Sequence, residues 1–190
     1  MVNFPEIGKS RLRKALLGYF YANTDARLYL RQAAGLLGED PGNLSKELAR
    51  LEAAGIFTSS LSGKQRYYSL NKQYPLFDEL KSIIFKTIGV EGALKEMLAS
   101  IAGAKKAFIY GSFARDEEKA GSDIDLLLVG NFSEDELIEK LSPLETKLQR
   151  EVNYTIYSPR EFAQKSKKEG SFLNEVLKTK PILLKGRLNA

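Results

Sequence analysis

Residues 111–130 read GSFARDEEKAGSDIDLLLVG. A Gly-Ser pair stands ten residues before Asp123, and Asp123 and Asp125 open an apolar run from Leu126 to Val129. A strand made only for packing does not begin with two carboxylates. Two explanations compete: a polar surface loop that enters a buried strand, or a site for a metal and a phosphate.

The residue types favour the site. The pattern around them is strand, turn, short helix, loop, strand. Gly111 lets the backbone turn sharply and come close to a ligand. Ser112 then falls near a helix N-terminus, where free N–H groups attract phosphate, and its hydroxyl adds a donor. Asp123 and Asp125 are two apart on a strand, so both point to one face. Carboxylates that close repel each other, and burying either is costly without compensation. A divalent cation relieves that repulsion, bridges triphosphate oxygens and stabilises in-line attack at phosphorus.

Composition narrows the chemistry. The chain of 190 residues contains no Cys and no His. That removes disulfides, thiolate nucleophiles, structural zinc sites and Ser-His-Asp triads. The remaining metal ligands are oxygens, which suit Mg²⁺ or Mn²⁺. A general base has to be a carboxylate, a Lys or a Tyr. No apolar run approaches the roughly 20 residues of a membrane span, and the first residues lack the apolar core of a secretory signal, so the expectation is a cytoplasmic protein without membrane contact.

The stretch "GSFAR…GSDIDLLLV" resembles the nucleotidyltransferase signature of the DNA polymerase β-like superfamily, in the form found in small, minimal domains of bacteria and archaea. The resemblance covers roughly residues 90–187. It implies metal-dependent transfer of a nucleoside monophosphate from an NTP, with ATP the expected one, to a hydroxyl, releasing pyrophosphate. It also implies that Asp123 and Asp125 are the metal ligands and part of the catalytic set. Gly111, Ser112, Arg115 and Ser122 become the nucleotide-binding candidates.

One position departs from that family. A third carboxylate usually stands on the next strand, which here reads REVNYTIY, and the matching residue is the neutral Asn153. Glu151 shares the face of Asn153, about 6–7 Å away along the strand. It serves either as third ligand or base, completing the catalytic candidates, or is a solvated strand end in a site that binds nucleotide without turnover.

Charge is uneven. Residues 1–88 hold 13 Lys+Arg against 8 Asp+Glu, and residues 89–190 hold 16 against 16, so the first half carries the whole excess of +5. Such asymmetry points to an anionic partner for the basic half. Residues 9–22 and 30–38 have helical spacing, and Asp40, Pro41 and Gly55 punctuate a helix at N-cap, first turn and end. That helix buries Leu44, Leu48 and Leu51 and leaves Asn43, Lys46, Glu47 and Arg50 facing out. Gly63 then turns a hairpin within residues 56–70.

This order resembles the winged helix-turn-helix of prokaryotic transcriptional regulators. The resemblance implies binding of double-stranded DNA, with Asn43, Ser45, Lys46 and Arg50 on the recognition helix and Lys64 and Arg66 on the wing. A winged helix that binds protein instead remains open. A helix from Pro75 through residue 89 carries Leu76, Phe77, Leu80, Ile83 and Ile84, for packing within the chain or for a homodimer interface. Later elements are a helix at 90–102, a helix at 133–150 that Pro143 breaks or kinks, a strand at 151–157, two short helices and a final strand.

The expected fold class is α+β: a winged helix-turn-helix over residues 1–88 and a nucleotidyltransferase-like mixed sheet with flanking helices over 89–190. The fusion resembles prokaryotic regulators that carry a nucleotidyltransferase domain. The first functional expectation is a DNA-binding regulator with a Mg-NTP-binding domain, sensor or transferase. The alternative is an enzyme that modifies a protein, RNA or small molecule, of toxin–antitoxin type among others, with the winged helix recruiting substrate or regulating its own gene.

Overall fold

The computed structural model describes residues 10–119 and 121–187. The chain falls into two compact units, Met1–Val90 and Glu91–Ala190.

The first unit runs α1 (Arg11–Ala22), β1 (Leu28–Tyr29), α2 (Leu30–Leu37), α3 (Pro41–Ala53), β2 (Phe57–Ser62), β3 (Gln65–Leu70) and α4 (Phe77–Thr87). Its sheet has the order β1-β3-β2 and is antiparallel throughout. Asp40 caps α3, accepting from the Asn43 N–H at 2.9 Å, with Pro41 in the first turn. Cap and proline together fix where α3 starts. Leu16, Leu17, Phe20, Leu44, Leu48, Leu51, Ile56, Phe57, Leu80 and Ile84 form the core. Each such side chain contributes roughly 1.5–3 kcal/mol by leaving water.

Two expectations need correction here. Glu47 does not face solvent: it is 4 % exposed and takes ion pairs from Arg13 and Arg50. A carboxylate on the core side of a helix is tolerated only because guanidinium groups meet it. The fourth helix begins at Phe77 rather than Pro75, with Leu76 as its N-cap. Of its apolar residues, Leu80 and Ile84 are in the core, Leu76 and Phe77 pack against it, and Ile83 is exposed.

The second unit, with Val90 at its edge, runs α5 (Val90–Ala99), β4 (Ala104–Tyr110), α6 (Gly111–Ala114), β5 (Ile124–Gly130), α7 (Glu134–Leu148), β6 (Val152–Tyr157), α8 (Pro159–Lys165), α9 (Phe172–Lys178) and β7 (Ile182–Lys185). The sheet order is β6-β5-β4-β7. β4 pairs antiparallel with β5 and β7, while β5 and β6 are parallel, joined through α7. β5 is buried at Ile124 and from Leu126 through Val129, as befits the inner strand of a covered sheet. The face bearing Phe108, Leu127, Val129 and Tyr157 packs against Phe162 of α8 and Leu173 and Val176 of α9.

Pro143 does not break α7, which runs from Glu134 to Leu148 with the proline inside it. Pro143 is exposed, so water reaches the carbonyl that its missing N–H leaves free. Leu137, Leu141, Leu144 and Leu148 bury one stripe on both sides of it and hold the helix together. Among the described residues, no helix is long and apolar enough to cross a membrane.

Candidate functional site

The site grows from the end of β4. Tyr110 is the last residue of that strand and lies opposite Asp125 in the antiparallel register. Gly111 follows with φ of 70°, in the left-handed region, and α6 is a single turn. An added Cβ on Gly111 would fall 2.0 Å from Oδ2 of Asp125. The Gly-Ser turn and the second aspartate are therefore one constellation, packed so closely that only glycine fits.

Asp123 precedes β5 and Asp125 is its second residue; Asp123 is exposed and Asp125 half-buried. Burial holds the Asp125 carboxyl above the usual carboxylate range. The charge of Asp123 pushes it the same way, and Arg115 opposes both. The two neighbouring carboxylates form an oxygen-only donor set with excess negative charge, which fits a hard divalent cation.

Asn153 of β6 is the parallel register partner of Asp125. Its amide Nδ2 donates to Asp123 Oδ2 at 3.1 Å. Asn153 thus occupies the third corner of the site and makes a hydrogen bond where a carboxylate would add charge. Glu151 stands just before β6. Its carbonyl accepts from the Ile124 N–H at 2.9 Å, and its side chain is exposed. Among the described residues no three acidic side chains gather as a metal-holding group, so Glu151 is not drawn in with Asp123 and Asp125.

The three remaining nucleotide-binding candidates are placed differently. Arg115 is exposed and pairs with Glu117 at 2.7 Å. The Ser122 hydroxyl accepts from the Lys119 N–H at 2.8 Å and so closes the loop before Asp123. Ser112 is half-buried at the start of α6.

Arg150 belongs to the site and was not anticipated. It is 5 % exposed, and its Nη1 donates to the carbonyls of Lys119 and Ser122, each at 2.8 Å. Its guanidinium lies 5.7 Å from the ring centre of buried Phe113, one residue after Ser112. One cation thus ties the loop carrying Asp123 to the turn carrying Ser112. The only sequence signal was position: an Arg just before the strand that bears Asn153.

The DNA-binding candidates lie in the first unit. Asn43, Lys46, Arg50, Lys64 and Arg66 are exposed and Ser45 is half-buried. Lys64 and Arg66 sit at and after the β2–β3 turn, where Gly63 has φ of 60°. Arg27, not singled out from sequence, stacks 4.6 Å from the Tyr67 ring centre on β3 and bonds Ser60 at 3.0 Å.

Comparison with known proteins agrees with the second unit's architecture. Residues 90–183 match the family model described as Nucleotidyltransferase domain. Two solved structures are similar to about half of the chain. One is a mutant of the MntA-HpeT toxin–antitoxin, at 16 % identity and TM-score 0.37, covering 52 % of this chain and 74 % of that one. The other is a toxin–antitoxin with AMP-PNP, at 18 % identity and TM-score 0.39, covering 51 % and 73 %. No curated protein gives a significant match.

Proposed function

We propose that the chain is a metal-dependent nucleotidyltransferase that moves a nucleoside monophosphate from an NTP, ATP being the nucleotide to test first, onto a hydroxyl of a protein, RNA or small molecule. The observation that carries this reading is the fit of Gly111 against Asp125, which joins the phosphate turn and the carboxylate pair into one site. The match of residues 90–183 to the nucleotidyltransferase domain supports it.

In this reading Asp123 and Asp125 hold Mg²⁺ or Mn²⁺, which neutralises triphosphate charge. The Gly111–Ser112 turn offers backbone N–H groups and a hydroxyl to phosphate oxygens. The acceptor oxygen bonds to the α-phosphorus, the bond to the bridging oxygen breaks, and pyrophosphate leaves. The acceptor's proton needs a base, and Glu151, two residues before Asn153 on the same side of β6, is the candidate. Arg150 keeps the two halves of the site in register. Toxin–antitoxin pairing is one setting in which such an enzyme works.

The first unit, over residues 1–88, is read as a winged helix-turn-helix. Its element order, three helices and then the β2–β3 hairpin, with β1 between α1 and α2 completing a three-stranded antiparallel sheet, supports that. It recruits the enzyme to its substrate or to double-stranded DNA through Asn43, Ser45, Lys46, Arg50, Lys64 and Arg66, and α4 is the place for a homodimer contact. One observation favours a second reading, a DNA-binding regulator that senses Mg-NTP: Asn153 is neutral where the resemblance expects a carboxylate.

Titration calorimetry with ATP, with and without Mg²⁺, followed by a pyrophosphate assay on the same sample, tests both. Mg-dependent binding with pyrophosphate release is the expected result. Binding without release, in the presence of candidate protein and RNA acceptors, favours the sensor. Equal Mg-ATP binding by the Asp123→Asn/Asp125→Asn double variant sinks the site itself.

A further inference from the structure

Among the described residues four large apolar side chains stand in solvent: Leu61, Ile83, Ile138 and Phe172. Phe172 differs from the others in its neighbours. It opens α9, directly after the N-cap Ser171, and is 50 % exposed, whereas Leu173 and Val176 of the same helix are buried beneath the sheet. Its ring meets that of Tyr110 at 5.5 Å between centroids and 79° between planes. In such an edge-to-face contact at least one face of Phe172 stays uncovered by Tyr110, whichever ring presents its edge.

Tyr110 connects that ring to the nucleotide site. It immediately precedes Gly111 and is the register partner of Asp125, so its side chain and that carboxylate share one face of the sheet. The aromatic pair therefore begins where the phosphate turn and the carboxylates end. A nucleoside triphosphate anchored there by its phosphates carries its base a few ångströms away. Any base has a π face to lay on an open aromatic ring.

We propose that Phe172, backed by Tyr110, is the stacking platform for the nucleobase of the NTP. This rests on the nucleotidyltransferase reading of the same site, and it adds the base subsite that the sequence does not show. The ring selects for a nucleoside over bare polyphosphate without choosing among bases, because stacking tolerates every base.

The test compares Mg-ATP with Mg-tripolyphosphate, which has the phosphates and no base, by titration calorimetry on the full chain. Phe172→Ala is expected to weaken ATP about 5- to 100-fold and to leave tripolyphosphate unchanged. Phe172→Leu keeps apolar packing without a π face and should behave like Phe172→Ala, while Phe172→Tyr should keep wild-type ATP affinity. The chain has no Trp. Phe172→Trp therefore introduces a single reporter, whose emission should be quenched by Mg-ATP and not by Mg-tripolyphosphate. If wild type binds both ligands and Phe172→Leu binds ATP as wild type does, the platform is wrong and the phosphate–metal site stands. Failure of wild type to bind either ligand overturns the platform together with the site beneath it.

Discussion

Gly111 and Asp125 exclude each other's space: a methyl group on the glycine would lie 2.0 Å from a carboxylate oxygen of the aspartate. The glycine also has φ of 70°, where L side chains cost about 1–2 kcal/mol. Gly111→Ala should thus do two things. Thermal unfolding should show a loss of about 1–2 kcal/mol from the backbone alone. Mg-ATP affinity should fall by at least tenfold, because Asp125 has to leave its rotamer to make room. Calorimetry checks this, with Gly121→Ala as a control. Gly121 also has positive φ, but an added Cβ there meets nothing within 4 Å among the described residues. A Gly111→Ala protein with wild-type Mg-ATP affinity would show that the turn is not part of the nucleotide site.

Arg150 gives a prediction of a different kind, since it touches the loop and not the proposed reactants. Replacing it by Ala leaves the carbonyls of Lys119 and Ser122 without their shared donor and removes the cation from Phe113. The expected stability loss is about 2–3 kcal/mol, the range for bonds to a charged group. The functional loss should appear mainly in kcat, because a loosened loop misplaces Asp123 while the phosphate turn persists. Arg150→Lys supplies one point donor instead of a fork and should recover part of the stability and less of the kcat. Equal falls in kcat/KM for substrates of any size, tracking the unfolded fraction alone, would mark Arg150 as purely structural.

Tyr21 tests the packing of the first unit. It is 6 % exposed, and its hydroxyl has no hydrogen-bond partner among the described residues. Burial, with the nearby Tyr74 adding to it, raises its phenol pKa well above the ordinary value. An unpaired buried hydroxyl costs about 1–3 kcal/mol. Tyr21→Phe keeps the ring that meets Phe77 at 5.6 Å and drops the hydroxyl. Denaturant unfolding should show a protein as stable as wild type or more stable by about 1 kcal/mol. A clear loss would reveal a partner for that hydroxyl.

The parts legible in sequence were those set by local chemistry. Asp40-Pro41 announced α3 because a cap and a fixed φ act within one turn. Gly63 announced the hairpin, and the spacing from Gly111-Ser112 to Asp123 announced the site. Distant packing stayed hidden. Glu47 looks like one more polar residue on a helix until Arg13, 34 residues earlier, comes to meet it. Arg150 reads as a charge at a strand's edge, because its partners lie 28 and 31 residues back along the chain. That Pro143 does not break α7 was hidden for a related reason. The penalty of a proline inside a helix depends on whether water reaches the orphaned carbonyl, and exposure is a tertiary property.

Asn153 is where fold and activity separate, and Asn153→Asp is the variant that divides them. In wild type its amide donates to Asp123 at 3.1 Å, which eases the repulsion between the two aspartates. The substitution removes that donor and places a third negative charge opposite Asp125. Without metal the protein should lose about 1 kcal/mol, the modest scale appropriate to exposed groups. That corresponds to a fall of several degrees in Tm for a unit of this size. With saturating Mg²⁺ the order should reverse, because a third carboxylate oxygen strengthens a hard-cation site. The metal-induced rise in Tm should then exceed that of wild type. Pyrophosphate release should increase by about tenfold or more if a better-placed base or ligand is what the natural site lacks. Greater metal stabilisation with no gain in release would show that Asn153 borders the cation while turnover waits on an acceptor. No change in metal stabilisation would place the cation away from β6 and remove Glu151 from consideration as well.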